Sequence, residues 1–298
     1  MFRLSRRLLL TKLSARRYSS GKQRFTTIEA LQYLDHTTNL SIPAFDANEP
    51  AVFKSAFRDY PAVKKWFISG IDPSGYPQEL NAAYLERYGD SFVSLEVTRR
   101  SPGSAQNATF DRIEAPFSLL LAHMGAEVEQ DVQLYLAQHS LEDLPAQMKE
   151  DLPTPVHFLA ELKSRGDIYA SSLWMGKPPT RTPLHRDPNS NLFVQLAGKK
   201  TVRMMRPEVG RGVFERVRLR VRGTGGGANM RGEEMMQGSE MEGLETAVWG
   251  EHGGGVDGVE GCEITVASGD ALYVPLGWWH AVRGVGEGAN ASVNWWFR

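Results

Sequence analysis

Cysteine is almost absent from this sequence of 298 residues, in which Cys262 is the single example. One cysteine cannot build an intramolecular disulfide framework, and it also excludes a cysteine-rich zinc module. Glycine is abundant, with 29 residues, but the glycine-rich segments lack the Gly-Lys-Ser/Thr signature of a phosphate-binding loop. Disulfide-stapled domains, zinc modules and P-loop nucleotide-binding proteins are therefore excluded.

Acidic residues are absent from the start of the chain, where the first one is Glu29. Residues 1–20 hold six basic residues among leucines and serines, a composition typical of a mitochondrial presequence, and Arg16-Arg17-Tyr18 resembles a processing site. The apolar run from Leu8 to Leu10 is too short for a secretory signal or a membrane span. We expect a mitochondrial matrix location, with a basic tail and nuclear or cytoplasmic location as the alternative.

Acidic and basic residues nearly balance over the whole chain, which has a net charge of −1. Removal of residues 1–18 would leave 28 basic against 35 acidic residues and a net charge of −7. An acidic chain is a poor general binder of nucleic acid, although this balance is compatible with a local basic groove. The apolar content of 41% can build one domain with additions.

A segment near the middle of the chain places a histidine and a carboxylate two positions apart. On a strand such residues point to the same face, so His185 and Asp187 can aim at one point, and His280 follows later. Two histidines and one carboxylate are the ligand set of non-haem Fe(II) oxygenases. By itself the pattern also fits ordinary polar residues before a strand, since the chain has 7 histidines and 35 acidic residues.

The sequence after these candidate ligands predicts two consecutive strands, at residues 192–196 and 199–205. In the second strand Lys200 alternates with Val202, so we expect its ammonium to face the interior and to neutralise a carboxylate there. Lys199 would point to the opposite face, as a solvated lysine.

These motifs together resemble the JmjC domain of the cupin-8 group over roughly residues 130–298. The residues that carry the resemblance are His185-x-Asp187, Asn191, Gln195, Gly198-x-Lys200, the run from Gly269 to His280, residues 135–139, Trp174 and Ser292-Val-Asn294-Trp-Trp296. Within the group the chain resembles the small JmjC-only protein hydroxylases. These include the asparaginyl hydroxylase that inhibits hypoxia-inducible factor and an arginyl hydroxylase also described as lysine-specific demethylase 8.

The resemblance implies both a fold and an activity. The fold would be mainly β with helical decoration, a double-stranded β-helix (cupin jelly roll) preceded by a helical N-terminal region. The activity would be that of a dioxygenase that hydroxylates a protein side chain. It implies Fe(II) as cofactor, 2-oxoglutarate as cosubstrate and O2 as oxidant.

The resemblance also assigns roles to individual residues. The metal ligands and catalytic centre would be His185, Asp187 and His280. The residues in contact with 2-oxoglutarate would be Tyr135, Thr182, Asn191, Lys200, Asn294 and Trp296. Lys200 would bring charge to the distal carboxylate, and the two hydroxyl groups would add directed hydrogen bonds. Trp174 would line the substrate pocket or serve as a core aromatic residue.

The expected layout has three parts. Residues 1–20 would be the presequence, residues 25–150 a helical region packed on the barrel, and residues 151–298 the barrel, with a glycine-rich insertion at about 207–262. The pattern Thr26-x-x-Glu29 predicts the start of a helix in the second part.

Three further local patterns give more specific expectations. Residues 92–97 alternate and predict a strand, whereas residues 117–124 predict an apolar helix. In the insertion, arginines at 216–222 alternate with apolar residues, which fits a strand with a basic face or a helix. The glycine-rich remainder, residues 223–261, has the composition of a flexible loop.

Alternatives to the protein hydroxylase are a lysine demethylase or a tRNA hydroxylase of the same superfamily, and a non-catalytic metal-binding cupin. The single cysteine excludes a cysteine-rich module of the kind that many demethylases carry, the acidic balance disfavours tRNA, and the complete ligand set with Lys200 disfavours the non-catalytic cupin. The chain ends directly after the last predicted strand, so we expect no dimerisation through C-terminal helices.

The presequence assignment predicts that residues 1–24, fused to a fluorescent reporter, direct it into mitochondria. The mature N-terminus of the full chain should then lie near Ser19 or Ser20, as measured by N-terminal peptide mass spectrometry. Replacement of the six basic residues by glutamine should leave the reporter outside mitochondria. A nuclear reporter, or a mature protein that keeps Met1, would contradict the assignment.

Overall fold

The computed structural model describes residues 24–32, 46–69, 77–101, 104–128, 130–162, 167–221, 237–250 and 254–298. The predicted presequence lies outside the described residues, as do residues 222–236 of the insertion. Two large β-sheets face each other, and helices pack around them.

The N-terminal region contains strands as well as helices. The strands are β1 (Arg24–Thr27), β2 (Ala30–Gln32), β3 (Ala51–Lys54), β4 (Phe67–Ser69), β5 (Pro77–Leu80), β6 (Phe92–Ser101), β7 (Ser104–Pro116) and β8 (Val132–Ser140). The helices are α1 (Pro61–Lys65), α2 (Ala82–Leu85), α3 (Phe117–Gly125), α4 (Ala146–Glu150) and α5 (Val156–Glu161), with 3-10 turns at 86–88 and 141–143. The predicted strand at residues 92–97 and the predicted helix at 117–124 are both present.

The C-terminal region contains the barrel strands. They are β9 (Ile168–Gly176), β10 (Thr180–Arg186), β11 (Ser190–Ala197), β12 (Lys199–Met205), β13 (Glu260–Ala267), β14 (Ala271–Val274), β15 (Trp279–Val285) and β16 (Asn290–Phe297). Two helices, α6 (Pro207–Val221) and α7 (Gly238–Trp249), lie between β12 and β13.

The barrel strands alternate between the two sheets, as in a jelly roll, except that β12 and β13, on either side of the insertion, pair with each other in one sheet. One sheet has the order β1-β13-β12-β15-β10, and the other has β2-β3-β14-β11-β16-β9-β8-β6-β7. The predicted cupin-type jelly roll is confirmed. The N-terminal region is richer in strands than expected, because β6, β7 and β8 extend a barrel sheet beyond β9 instead of only covering it with helices.

The predicted helix start at Thr26-x-x-Glu29 is wrong. Thr26 lies in β1, which pairs in parallel with β13 opposite Cys262, and β2 pairs in parallel with β3. The local capping pattern loses because each short segment completes the edge of a sheet, and such tertiary pairing overrides a weak local preference.

The main hydrophobic core lies between the outer face of the nine-stranded sheet and the N-terminal helices. Trp66, Phe53, Leu95, Leu173 and Trp295 are completely buried in it. A second core lies between the five-stranded sheet and the two helices of the insertion.

Most of the described part of the insertion is helical. The alternating arginines therefore lie on a helix and not on a strand. Residues Val213 and Val217 of α6 are buried one turn apart, and Met241, Leu244 and Val248 give α7 an apolar stripe. The flexible-loop expectation for residues 223–261 is therefore wrong for α7 and for the start of β13. Glycine content concealed the periodic apolar positions between the glycines.

The arginines of α6 fasten the segment that follows α7. Arg216 donates a hydrogen bond to the carbonyl oxygen of Asp257, and Arg220 donates to those of Gly254 and Gly255. These two arginines thus make specific contacts to backbone from a helix and do not form the basic face of a strand.

The close approach of α6 to β15 predicts opposite effects for two glycine-to-alanine substitutions. A Cβ at Gly210 would lie 2.1 Å from the Trp279 ring, whereas one at Gly212 would meet only the flexible end of Arg216, at 3.1 Å. Gly210→Ala should lower the free energy of unfolding by about 1–3 kcal/mol through overpacking. Gly212→Ala should be neutral or stabilising by up to about 1 kcal/mol, because alanine favours helix. Urea unfolding of both variants is the measurement, and equal destabilisation would contradict the packing.

Candidate active site

A cavity between the two barrel sheets contains every candidate site residue named from the sequence. It has about 480 Å³ of unfilled space, part of it open to solvent. Its lining consists of Tyr135, Trp174, Thr182, His185, Asp187, Asn191, Phe193, Lys200, Val202, Leu272, Val274, His280, Val282, Asn294 and Trp296. Residues from seven barrel strands, and from β8 of the N-terminal region, thus meet in one space of ligand-binding size.

The strand pairing brings the three candidate metal ligands together. β10 runs antiparallel to β15, with His185 directly opposite His280, and Asp187 follows one residue after β10 ends. The Nε2 atoms lie 3.7 Å (His185) and 3.5 Å (His280) from the Asp187 carboxylate oxygens. All three ligand atoms lie within 4.8 Å of one another, so one metal ion can contact all of them.

Backbone carbonyl groups orient both imidazole rings. Nδ1 of His185 lies 2.9 Å from the carbonyl oxygen of Pro183, and Nδ1 of His280 lies 3.3 Å from that of Trp278. With a proton on each Nδ1, the Nε2 atom of each ring carries the lone pair that can bind a metal. Burial, together with repulsion from His280, lowers the pKa of His185 to about 4, so that ring is neutral at pH 7, as a metal ligand must be.

Asn191 holds the carboxylate of Asp187, and Asn294 in turn holds Asn191. Asn191 donates from Nδ2 to Oδ2 of Asp187 at 2.9 Å, and Asn294 donates from Nδ2 to Oδ1 of Asn191, also at 2.9 Å. The contact from Asn191 uses one oxygen and leaves acceptor capacity on the carboxylate for a metal. The two asparagines therefore support the metal side of the cavity.

Lys200 brings a buried positive charge into the same cavity. The residue is 2% exposed, and Nζ donates to Ser292 Oγ at 2.7 Å and to the Tyr135 hydroxyl at 3.3 Å. Among the described residues Lys200 forms no ion pair, and burial lowers its pKa to about 7. The predicted strand parity is correct, because Lys200 and Val202 are buried whereas Lys199 is half-buried.

Aromatic side chains form one wall of the cavity. Tyr135, Trp174 and Trp296 pack together, and the Tyr135 and Trp174 ring centres are 6.2 Å apart. Nε1 of both tryptophans is buried without a hydrogen-bond partner among the described residues. Trp295 faces away, as its strand parity predicted, and meets Tyr60 edge-on.

Sequence reasoning missed Ser292 and Phe193. Ser292 is two residues before Asn294 on β16, so the same strand parity could have identified it. The Phe193 ring lies 5.4 Å from Lys200 Nζ, a contact that joins two strands and leaves no local signal.

The fold and the cavity define a jelly-roll protein with a candidate two-histidine, one-carboxylate metal centre. The match to the family model of the cupin-like domain covers residues 44–298. The chain therefore belongs to the cupin-like domain family, and the resemblance to its JmjC members is confirmed.

Curated proteins from plants and animals are similar to this chain. The chain is 25% identical to the lysine-specific demethylase JMJ30 of Arabidopsis thaliana, over 83% of this chain and 49% of that protein. It is 24% identical to the Jumonji C domain-containing protein 5 of Drosophila melanogaster, over 85% and 55%. It is 24% identical to the human bifunctional peptidase and (3S)-lysyl hydroxylase JMJD7, over 51% and 46%. The chain spans about half the length of these relatives.

No helix among the described residues is long and apolar enough to cross a membrane.

The triad geometry predicts stoichiometric binding of a divalent transition metal. Asp187→Ala should lower the affinity for Mn(II) or Fe(II) by at least about tenfold, because it removes the only anionic ligand of the cluster. His157→Ala, at an exposed histidine outside the cavity, is the matched control and should bind like the parent. Anaerobic calorimetry gives both affinities, and unchanged binding by Asp187→Ala would exclude the assigned triad.

Proposed function

We propose that this protein is an Fe(II)- and 2-oxoglutarate-dependent dioxygenase that hydroxylates a protein side chain. The observation that carries the proposal is one cavity with two complementary features. The cluster of His185, Asp187 and His280 can hold a metal at one point, and Lys200 contributes a buried cation without an ion-pair partner among the described residues.

The residues present fit both groups. Two imidazoles and one carboxylate on one face suit Fe(II) and leave coordination positions open. A buried ammonium is costly without an anion, and 2-oxoglutarate has a second carboxylate that can pair with it. When bound, the iron supplies activation of O2, coupled to conversion of 2-oxoglutarate to succinate and CO2.

The protein would contribute binding and orientation. Lys200 would pair with the distal carboxylate of 2-oxoglutarate, and the hydroxyl groups of Tyr135 and Thr182 would add hydrogen bonds. Asn191 and Asn294 would keep the Asp187 carboxylate in its orientation. These groups would hold the cosubstrate in one orientation beside the residues that would bind the metal.

The aromatic wall would exclude water and provide hydrogen-bond donors. Trp174 and Trp296 are 7% and 6% exposed, and their unpartnered Nε1 groups can donate to an acceptor on a bound molecule. We place the target side chain of the substrate between this wall and the metal.

Lysine demethylation is the second candidate, and the names of the relatives favour it. Those names include both lysine-specific demethylases and a lysyl hydroxylase, so a protein substrate is common to both candidates. Both reactions begin with oxidation at a C–H bond, and only the position of that carbon distinguishes them.

We also propose that the enzyme acts in the mitochondrial matrix. The composition of residues 1–20 supports this location.

The two neighbouring lysines of β12 test the proposed function. Charge-assisted pairing contributes about 1.5–3 kcal/mol, so Lys200→Met should raise the Kd for 2-oxoglutarate about tenfold to hundredfold and leave Fe(II) affinity nearly unchanged. Lys199→Met is the control and should bind normally, because its side chain points to the other face.

The measurement is an anaerobic titration with Fe(II) and 2-oxoglutarate, monitored through the weak visible charge-transfer band of the complex. Equal effects of both substitutions would contradict the orientation of Lys200. A parent protein without this band, and without 2-oxoglutarate binding, would overturn the proposed function and favour a non-catalytic cupin.

A further inference from the structure

Ser292 contacts Lys200 across the interior of the barrel. Ser292 lies on β16 of one sheet and Lys200 on β12 of the other, so their hydrogen bond of 2.7 Å joins the two sheets. The two residues are 0% and 2% exposed. Tyr135 is the other hydroxyl that Lys200 contacts, at the longer distance of 3.3 Å. Ser292 thus makes the shortest described contact to the ammonium group.

This contact affects the charge of Lys200 as well as its position. Burial favours the neutral amine and lowers the pKa of Lys200 to about 7. A hydrogen bond accepted from the ammonium group favours the charged form, and a serine oxygen can accept it. In this cavity the serine therefore opposes the effect of burial.

We propose that Ser292 is a positioning residue that directs the Lys200 ammonium into the cavity and keeps it charged to receive the distal carboxylate of 2-oxoglutarate. The inference rests on the function proposed above.

Other titratable groups face the same cavity from neighbouring strands. They are Tyr135 on β8, whose pKa is raised by burial, and the cluster of His185, Asp187 and His280. Beyond Tyr135, Glu96 on β6 is paired with Arg112 on β7. All of these groups are common to the parent and to a Ser292 variant, so the difference between the two proteins reports on Lys200.

The sign of the pH dependence follows from which form binds. The protonated amine attracts the carboxylate, so affinity is highest below the pKa of Lys200 and falls as the pH rises above about 7. If the serine bond is lost, the pKa of Lys200 drops and the fall begins at lower pH. A merely structural role of Ser292 would instead weaken binding by the same factor at every pH.

The test compares Ser292→Ala with Ser268→Ala. The second variant removes another buried serine, one that donates to the carbonyl oxygen of Leu196 and makes no described hydrogen bond to Lys200. Anaerobic calorimetry with Mn(II) and 2-oxoglutarate gives the Kd at pH 6 and pH 8. If Ser292→Ala lowers the pKa of Lys200 by about one pH unit, its affinity for 2-oxoglutarate should fall less than about threefold at pH 6 and about tenfold at pH 8, relative to the parent. Ser268→Ala should match the parent, and Ser292→Thr, which keeps the hydroxyl, should recover most of the affinity.

A second measurement keeps this inference separate from the proposed function. Carbon-13 NMR of the lysine Cε atoms, assigned with Lys200→Met, reports the pKa of Lys200 without any ligand. A lower pKa in Ser292→Ala supports the inference, and an unchanged pKa or a pH-independent loss of affinity overturns it. If the parent binds no 2-oxoglutarate, the proposed function fails, and the NMR titration still decides what Ser292 does.

Discussion

The antiparallel pairing of β10 with β15 is the constraint on which the candidate metal centre depends. It places His185 opposite His280, and a shift of one residue would turn one histidine to the outside of the barrel. The outward-facing residues of the same two strands, Leu184, Trp279 and Ala281, are buried in the core that the insertion forms with the sheet. The packing of α6 and α7 thus stabilises the register that brings the ligands together, which gives the insertion a structural role.

Among the described residues, the buried carboxylates Asp270 and Asp151 pair with lysines, whereas Lys200 forms no ion pair. Asp270 accepts from Lys54 and from two backbone N–H groups, and Asp151 accepts from the side chains of Lys65, Trp66 and Tyr84. Both carboxylates fix one part of the chain to another, and each has its charge balanced internally. The described contacts of Lys200 are neutral hydroxyl groups and aromatic rings, so a bound anion would complete its environment.

Much of the barrel could be predicted from the sequence, because its signals are local and chemically specific. His-x-Asp on a strand fixes two side chains to one face, and alternation along β12 fixes the direction of Lys200. The N-terminal region was predicted less well. Residues 24–27 form a strand because they pair with the edge of β13, more than 200 residues later in the chain. Ser292 was missed for a related reason. Parity along β16 can show that Ser292 faces the same side as Asn294, but its contact with Lys200 depends on a strand of the opposite sheet.

The remaining polar atoms of the cavity indicate what a bound molecule must provide. Nε1 of Trp174, Nε1 of Trp296 and Oδ1 of Asn294 are buried without a partner among the described residues, and all three residues line the cavity. Buried polar groups in native proteins are normally hydrogen-bonded, so unpaired ones that converge on a cavity indicate a ligand. Two donors and one cation call for acceptors, which a dicarboxylate has. The acceptor on Asn294 calls for a donor, which 2-oxoglutarate lacks and which a substrate amide or an ordered water can supply. Under the proposed function, the cosubstrate would meet the donors of the cavity, and a group that donates a hydrogen bond would meet Asn294 beside the metal ligands.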